Sequence, residues 1–422
     1  MSPGRWALVG LLAATATASY LCRVNVSVTG VLMMEEFHLS QPEMGWIFSA
    51  FLFGYALCQI PGGMLADRFG APRVLAWSSL WWLFASLALA GTGLLFGGTG
   101  LGLLAALLTV RFVLGVGEAP TFPAAAQGVS RWIAPSQQGR ANGLVLAAIG
   151  LGSAIAPPFL SGVMVRWGWR AAVAVSALPA LAVSLAWFRL RDADAAVHHF
   201  AEASEIRGAG VSPSATDVGK LPRSLSFALL TLSYTLQGYV GYIFVFWFYL
   251  YLVQERHFDL LQGAWVSSLP WVLSLASIPL GGWISDRLVS GRMGLRWGRR
   301  TVPLVGLTVA GLLLALGAHT RSAYFAAGYL ALSTALVLSV EGPFWATMME
   351  IAGSRSGSAG GIMNMGSNLG GLISPALTPL LAAWIGWENA LHIAAILSVV
   401  AGLLWFGVAP ASTRRQEEGN HR

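Results

Sequence analysis

The sequence predicts an all-α membrane protein: twelve transmembrane helices in two pseudo-symmetric six-helix bundles. Three observations carry that prediction. Of 422 residues, 56% are hydrophobic and 10% charged, whereas a soluble chain carries about 25% charged residues. Apolar runs near the length a bilayer core requires, about 20 residues, recur twelve times. Finally, one loop motif occurs at corresponding places in both halves of the chain.

In chain order the runs lie near 6–33, 44–65, 74–95, 100–125, 141–165 and 171–188, then 225–253, 263–285, 301–318, 322–349, 359–384 and 389–409. The N-terminal run begins after Arg5, as a signal peptide would. It continues past Arg23 to Met34 and so fits a first span better. The one long polar stretch, 189–224, holds Asp192, Asp194, Glu202, Glu205 and Lys220. It is expected to be a cytoplasmic linker between bundles 1–188 and 225–409, with a cytoplasmic tail at 410–422.

Arginine placement sets the orientation. With both termini inside, nineteen of the 25 Lys and Arg fall in cytoplasmic loops and tails. Four (Arg166, Arg170, Arg256, Arg321) fall outside, and two (Arg23, Arg111) lie within spans. Such a bias fixes topology. The net charge of +7 therefore marks loops in a membrane protein and gives no reason to expect a nucleic-acid partner. Mean hydropathy is +0.66, and 50 glycines with 18 tryptophans suit packed helices with interfacial belts.

The loop after the second span reads Gly63-Met-Leu-Ala-Asp67-Arg68-Phe-Gly70-Ala-Pro-Arg73. The loop after the eighth reads Gly282-Trp-Ile-Ser-Asp286-Arg287, with Gly298-Arg299-Arg300 further on. Recurrence of Gly-x-x-x-Asp-Arg at equivalent points indicates a duplicated six-helix unit. Glycine permits close helix approach, and the Asp is suited to cap or pair across a helix end at a cytoplasmic gate.

Ionisable groups inside spans are costly and usually face a bundle interior. Arg111 and Glu118 are seven residues apart in the fourth span, about two turns, so they share a face roughly 10 Å apart along the axis. One cation and one titratable acid on a face suit an anion and a proton; a structural ion pair or membrane-end anchor is the alternative. Pro120 and Pro123 follow Glu118 and should interrupt the helix, freeing backbone carbonyls. Arg23 stands with Tyr20 and Ser27 at i−3 and i+4 on one polar stripe. Its guanidinium stays charged and matches a carboxylate. Its counter-ion must come from another helix or from substrate. Glu341, two residues before Pro343, stays open among a second titrating group, a partner for a buried arginine and a structural acceptor.

These residues resemble the major facilitator superfamily, whose signature is the Gly-x-x-x-Asp-Arg-x-Gly loop, over essentially the whole chain. Within it the chain resembles the anion:cation symporter family, which includes sugar-acid and sialin-like carriers. The resemblance rests on Tyr20-x-x-Arg23-x-Asn25-x-Ser27, Arg111-Phe-x-x-Gly-x-x-Glu118-Ala-Pro-x-Phe-Pro123, Arg131-Trp132 with Arg140-Ala141, Gly342-Pro-x-Trp345, and Gly361-Ile-Met-Asn364-x-x-x-Asn368-Leu-Gly-Gly. It implies alternating access and import of an organic carboxylate with protons. By position it makes Arg23 the substrate grip and Glu118 the proton-coupling acid. Tyr55, Trp345 and Asn364 would line the cavity, with Gln237, Tyr239 and Tyr242 from the seventh span as further contacts. Asp67, Arg68, Asp286 and Arg287 would act at the gate. Bacterial sugar-acid symporters usually carry Asp before the first-span arginine; this chain has Cys22.

No cofactor, metal or catalytic role is expected. Cys22 and Cys58 support no disulfide framework, and His38, His257, His319 and His392 show no metal-ligand spacing. No Ser/His/Asp constellation or ATP-binding motif is present. The expectation is a monomeric, proton-coupled importer of a small organic anion in a bacterial inner membrane. A passive facilitator, favoured by Cys22, and a drug/proton antiporter, disfavoured by the intramembrane arginines, are the alternatives.

Overall fold

The computed structural model describes residues 3–94, 100–190, 224–352 and 356–409. The expected linker, but for its two ends, and the C-terminal tail lie outside the described residues. Among these, helix is the only regular structure. Ten helical stretches are long and apolar enough to cross a membrane. Two are double. Arg140–Leu190 (51 residues) is broken at Gly168, φ 79°, and Ala359–Phe406 (48 residues) at Gly386, φ 83°. A positive φ there reverses the chain at little cost only for glycine. Ten stretches with two such breaks give twelve spans.

The chain divides into two compact units: Met1–Gly210 with Asp259–Ser268, and Val211–Phe258 with Leu269–Arg422. In the first unit the first span is Pro3–Phe37, which outruns its apolar stretch by a full turn. The second, Gln41–Phe69, starts on a capping box: Ser40 Oγ accepts from Glu43 N, and Glu43 Oε2 accepts from Ser40 N at 2.8 Å. The third is Ala71–Gly91. The fourth comes in two pieces, Leu101–Glu118 and Thr121–Trp132. The break falls at Ala119-Pro120, because proline lacks the N–H that would continue the ladder. Pro123 lies in the first turn of the second piece and breaks nothing, as proline is tolerated there.

The first span packs on the fifth and the second on the fourth. A Cβ added at Gly115 would run into the Phe51 carbonyl oxygen, and one at Gly54 into that of Phe112. Only glycine lets these backbones meet. Around them Trp82 and Trp187 are fully buried, while Trp77 (64% exposed) and Phe84 (61%) point outward, as a lipid-facing surface requires.

The second unit repeats the pattern. Its spans are Leu225–Phe246 continued by Phe248–Gln254, Leu260–Ser290 from Leu269 onward, Gly294–His319, Ala323–Ser339 continued by Glu341–Ala352, and the double helix Ser356–Leu403. The tenth span is broken, like the fourth, at the residue beside its glutamate. Gly281 meets the Ser339 carbonyl as Gly115 meets Phe51. His38 (φ 52°) and His257 (φ 58°) end the first and seventh spans in the same left-handed turn. Each is followed two residues later by a helix cap: Ser40, and Asp259, whose Oδ1 accepts from Gln262 N at 2.8 Å.

Candidate functional site

The first unit buries two guanidiniums and one carboxylate together. Arg23, Arg111 and Glu118 are 2%, 0% and 0% exposed. Arg23 extends across to the fourth span, where Nη2 is 2.7 Å and Nε 2.9 Å from Glu118 Oε1. Ser19, one turn before Arg23, donates to the same oxygen at 2.6 Å. The counter-ion of Arg23 is therefore supplied by another helix. Arg111 sits above: its Nη2 donates to the Arg23 carbonyl at 3.3 Å. Among the described residues Arg111 Nε, Arg111 Nη1 and Glu118 Oε2 are buried without a hydrogen-bond partner.

Aromatic rings complete the enclosure. Tyr20 accepts from Arg23 Nη1 at 3.3 Å, and its ring lies 4.6 Å from the guanidinium carbon. Tyr55 lies 4.7 Å from that carbon. Phe51 is placed between the cations, 5.2 Å from Arg23 and 4.9 Å from Arg111. A ring face attracts a guanidinium by its quadrupole, so three rings partly replace the water both cations have lost. With all three ionised the cluster carries one net positive charge, which is what a single anionic group neutralises.

Two tryptophans of the third span bond carbonyls on the glutamate-bearing helix, one beside its break and one a turn earlier. Trp82 donates to Gly117 O at 3.0 Å and Trp81 to Val113 O at 2.8 Å. These bonds tie the third span to the glutamate-bearing turn. Ser27, expected on the Arg23 stripe, is buried with no hydrogen-bond partner among the described residues.

In the second unit the seventh and tenth spans meet at Glu341. Tyr234 donates to Glu341 Oε2 at 2.8 Å and Gln237 Nε2 to Oε1 at 3.0 Å. Trp345 lies edge-on to Tyr234, centroids 6.4 Å apart. No arginine or lysine among the described residues pairs with Glu341, so the buried-arginine alternative does not apply there. Tyr239 and Tyr242 turn toward the eleventh span instead: Tyr239 bonds Thr378 Oγ1 at 3.0 Å, and the Tyr242 ring covers Gly371. Asn364 is half-buried on that same eleventh span.

The two loop motifs differ. Asp286 pairs with Arg299, whose Nε also reaches Glu350 at 2.8 Å. Asp67 and Arg68 are exposed, and Asp67 forms no ion pair among the described residues. Arg68 and Arg287 each lie against a neighbouring ring, Phe69 at 5.2 Å and Trp283 at 5.4 Å. Sequence reasoning missed Ser19, Phe51 and Tyr234. Ser19 was findable, because it lies four residues before Arg23 on the same helix face. Phe51 carries no polar signal, and its role follows only from packing.

The model of the Major Facilitator Superfamily matches residues 11–352 and 288–421. The chain is 33% identical over 386 residues to "Probable sulfoacetate transporter SauU" of Cupriavidus necator, covering 88% of this chain and 86% of that one. It is 27% identical to "Hexuronate transporter" of Bacillus subtilis, covering 91% and 90%, and 28% identical to "Probable galactarate/D-glucarate transporter GudP" of Escherichia coli, covering 96% and 93%. In fold it is similar to a bacterial homologue of the human lysosomal transporter Spinster, in an inward-facing and occupied conformation (TM-score 0.77, 17% identity, 97% of each chain). It is also similar to a D-xylose-proton symporter (TM-score 0.72, 16% identity, 96% of this chain and 98% of that one). The apolar composition, the duplicated loop and these matches agree, and the relatives are transporters rather than enzymes. The chain is a multi-pass membrane protein belonging to the major facilitator superfamily.

Proposed function

We propose that the protein imports a small organic anion with protons by alternating access, across a bacterial inner membrane and with both termini cytoplasmic. The observation that carries the proposal is the buried Arg23–Glu118 pair beside Arg111. Substrate and Glu118 compete for one guanidinium. Breaking a buried pair by removing one partner costs about 3–5 kcal/mol. An incoming carboxylate or sulfonate that takes the place of Glu118 keeps Arg23 satisfied, and a proton on Glu118 Oε2 removes the charge left behind. Anion and proton therefore bind together more readily than either alone.

In this reading Arg23 grips the anion, Tyr20 and Tyr55 flank it, and Arg111 holds the surrounding positive potential. Within the second unit Gln237, Tyr239, Tyr242, Trp345 and Asn364 are assigned as neutral substrate-binding residues. The loop residues Asp67, Arg68, Asp286 and Arg287 act in gating. The relatives' named substrates (sulfoacetate, hexuronate, galactarate and D-glucarate) are all small anions, which supports that class for this chain.

The test is uptake into proteoliposomes of labelled sulfoacetate, a hexuronate, D-glucarate and D-galactonate, with and without an inward proton gradient. At least one should accumulate above equilibrium only with the gradient. Equal entry with no accumulation would establish a facilitator. Proton-driven efflux of cationic dyes alone would remove the proposal.

A further inference from the structure

The polar residues of the two units repeat one another. Ser19-Tyr20-x-x-Arg23 of the first span is matched by Ser233-Tyr234-x-x-Gln237 of the seventh, and Glu118-Ala-Pro120 by Glu341-Gly-Pro343. The fold joins the corresponding positions in each unit, Arg23 to Glu118 and Gln237 to Glu341. Both glutamates stand where their span breaks. One substitution separates the copies: glutamine occupies the place of the arginine.

Glu341 is consequently held by neutral donors alone. The titratable groups nearest it are Tyr234, which bonds it, and Tyr242 beyond Tyr234. The eighth span, Leu260–Ser290, meets this segment where Gly282 approaches Gly342; its Asp286 pairs with Arg299 and its Arg287 lies over Trp283. Two other helices packed on it are Gly294–His319 and Ser356–Leu403. On the first, Arg299 is taken by Asp286 and Glu350, and Arg300 Nε donates to the Val408 carbonyl. On the second, Glu388 pairs with His319. An anionic carboxylate inside a membrane span with no cation is costly, and adding a proton removes that cost.

We propose that Glu341 is a second proton-carrying carboxyl, the neutral counterpart of Glu118. The hydrogen bonds fit both protonation states. Gln237 donates to Oε1 in either. As a carboxylate, Glu341 accepts from the Tyr234 hydroxyl at Oε2. As an acid, its Oε2–H donates to the Tyr234 oxygen, since a phenol both donates and accepts. An arginine at position 237 could only donate. The proton comes from water and returns to it, and the site changes between −1 and neutral. Glu341 is half-buried whereas Glu118 has no exposed surface. For its part in transport this inference rests on the symport reading.

The test is infrared difference spectroscopy of the purified full chain in detergent, between alkaline and acidic buffer. The wild type should show carboxylic-acid carbonyl bands, and Glu341→Gln should lack one of them. Tyr234→Phe should keep that band at a shifted frequency. A Glu341→Gln spectrum identical to wild type overturns the proposal. So does an unmoved band in Tyr234→Phe, which decides the matter should Glu341→Gln fail to fold. A band lost only in Glu118→Gln likewise overturns this proposal while leaving the symport reading intact. A band lost only in Glu341→Gln supports it and removes Glu118 as the coupling acid.

Discussion

Two glutamates at matching breaks of the fourth and tenth spans have been given opposite surroundings. Glu118 is sealed from solvent and held by a guanidinium, with a second guanidinium close by. Glu341 is half-buried and held by a phenol and an amide. The two breaks are alike in backbone; the chemistry parts at one position, Arg23 against Gln237. The difference teaches that the charge of a buried carboxyl is fixed by its partner on the facing helix and not by its own place in the repeat. The first unit is thus suited to exchange an internal anion for an external one. The second is suited to neutral contacts.

The comparison breaks most directly at position 23. Arg23→Leu strands Glu118 as a buried charge, with an expected loss of about 3–5 kcal/mol, whereas Gln237→Leu removes an amide's hydrogen bonds to Glu341 Oε1 and the Val337 carbonyl, about 1–2 kcal/mol. Thermal unfolding in detergent should show a large drop for the first and a small one for the second. Arg23→Leu combined with Glu118→Leu should recover much of the loss. Equal drops for Arg23→Leu and Gln237→Leu would erase the contrast. A smaller effect tests the backbone likeness: Gly115→Ala and Gly281→Ala each push a methyl into a facing carbonyl and should both cost about 1–3 kcal/mol. The least effect is expected at the loops. Asp286 is 70% exposed, so Asp286→Asn should change stability by about 1 kcal/mol at most; any consequence should appear in transport rate.

Much of this was legible beforehand. Twelve spans follow from hydropathy because the bilayer sets the helix length, and the two halves follow from Asp67-Arg68 and Asp286-Arg287 recurring at equivalent points. Arg23, Arg111 and Glu118 were conspicuous as charges among apolar residues. Their pairing was not. Arg23 and Glu118 lie 95 residues apart, and sequence periodicity gives the face of a helix without the rotation that aims it at a neighbour. Their spacing places Arg111 and Glu118 on one helix face, with a structural ion pair between them only the alternative; Glu118 instead reaches across to Arg23, while Arg111 donates to the Arg23 backbone carbonyl. The seventh span, where Tyr234, Tyr239, Tyr242, Phe244, Phe246, Trp247, Phe248, Tyr249 and Tyr251 crowd together, hid Tyr234 for the opposite reason. Too many rings carry the same signal, and only packing separates the one that bonds Glu341 from those that face neighbouring helices.

The central claim is that protonation of Glu118 frees Arg23 for the transported anion. It is tested most directly by comparing two modes of transport in Glu118→Gln proteoliposomes, using the acid identified by the uptake panel. Counterflow exchange should persist, because the neutral side chain leaves Arg23 available, and uphill uptake driven by a proton gradient should be lost. Wild-type accumulation in that variant would contradict the account.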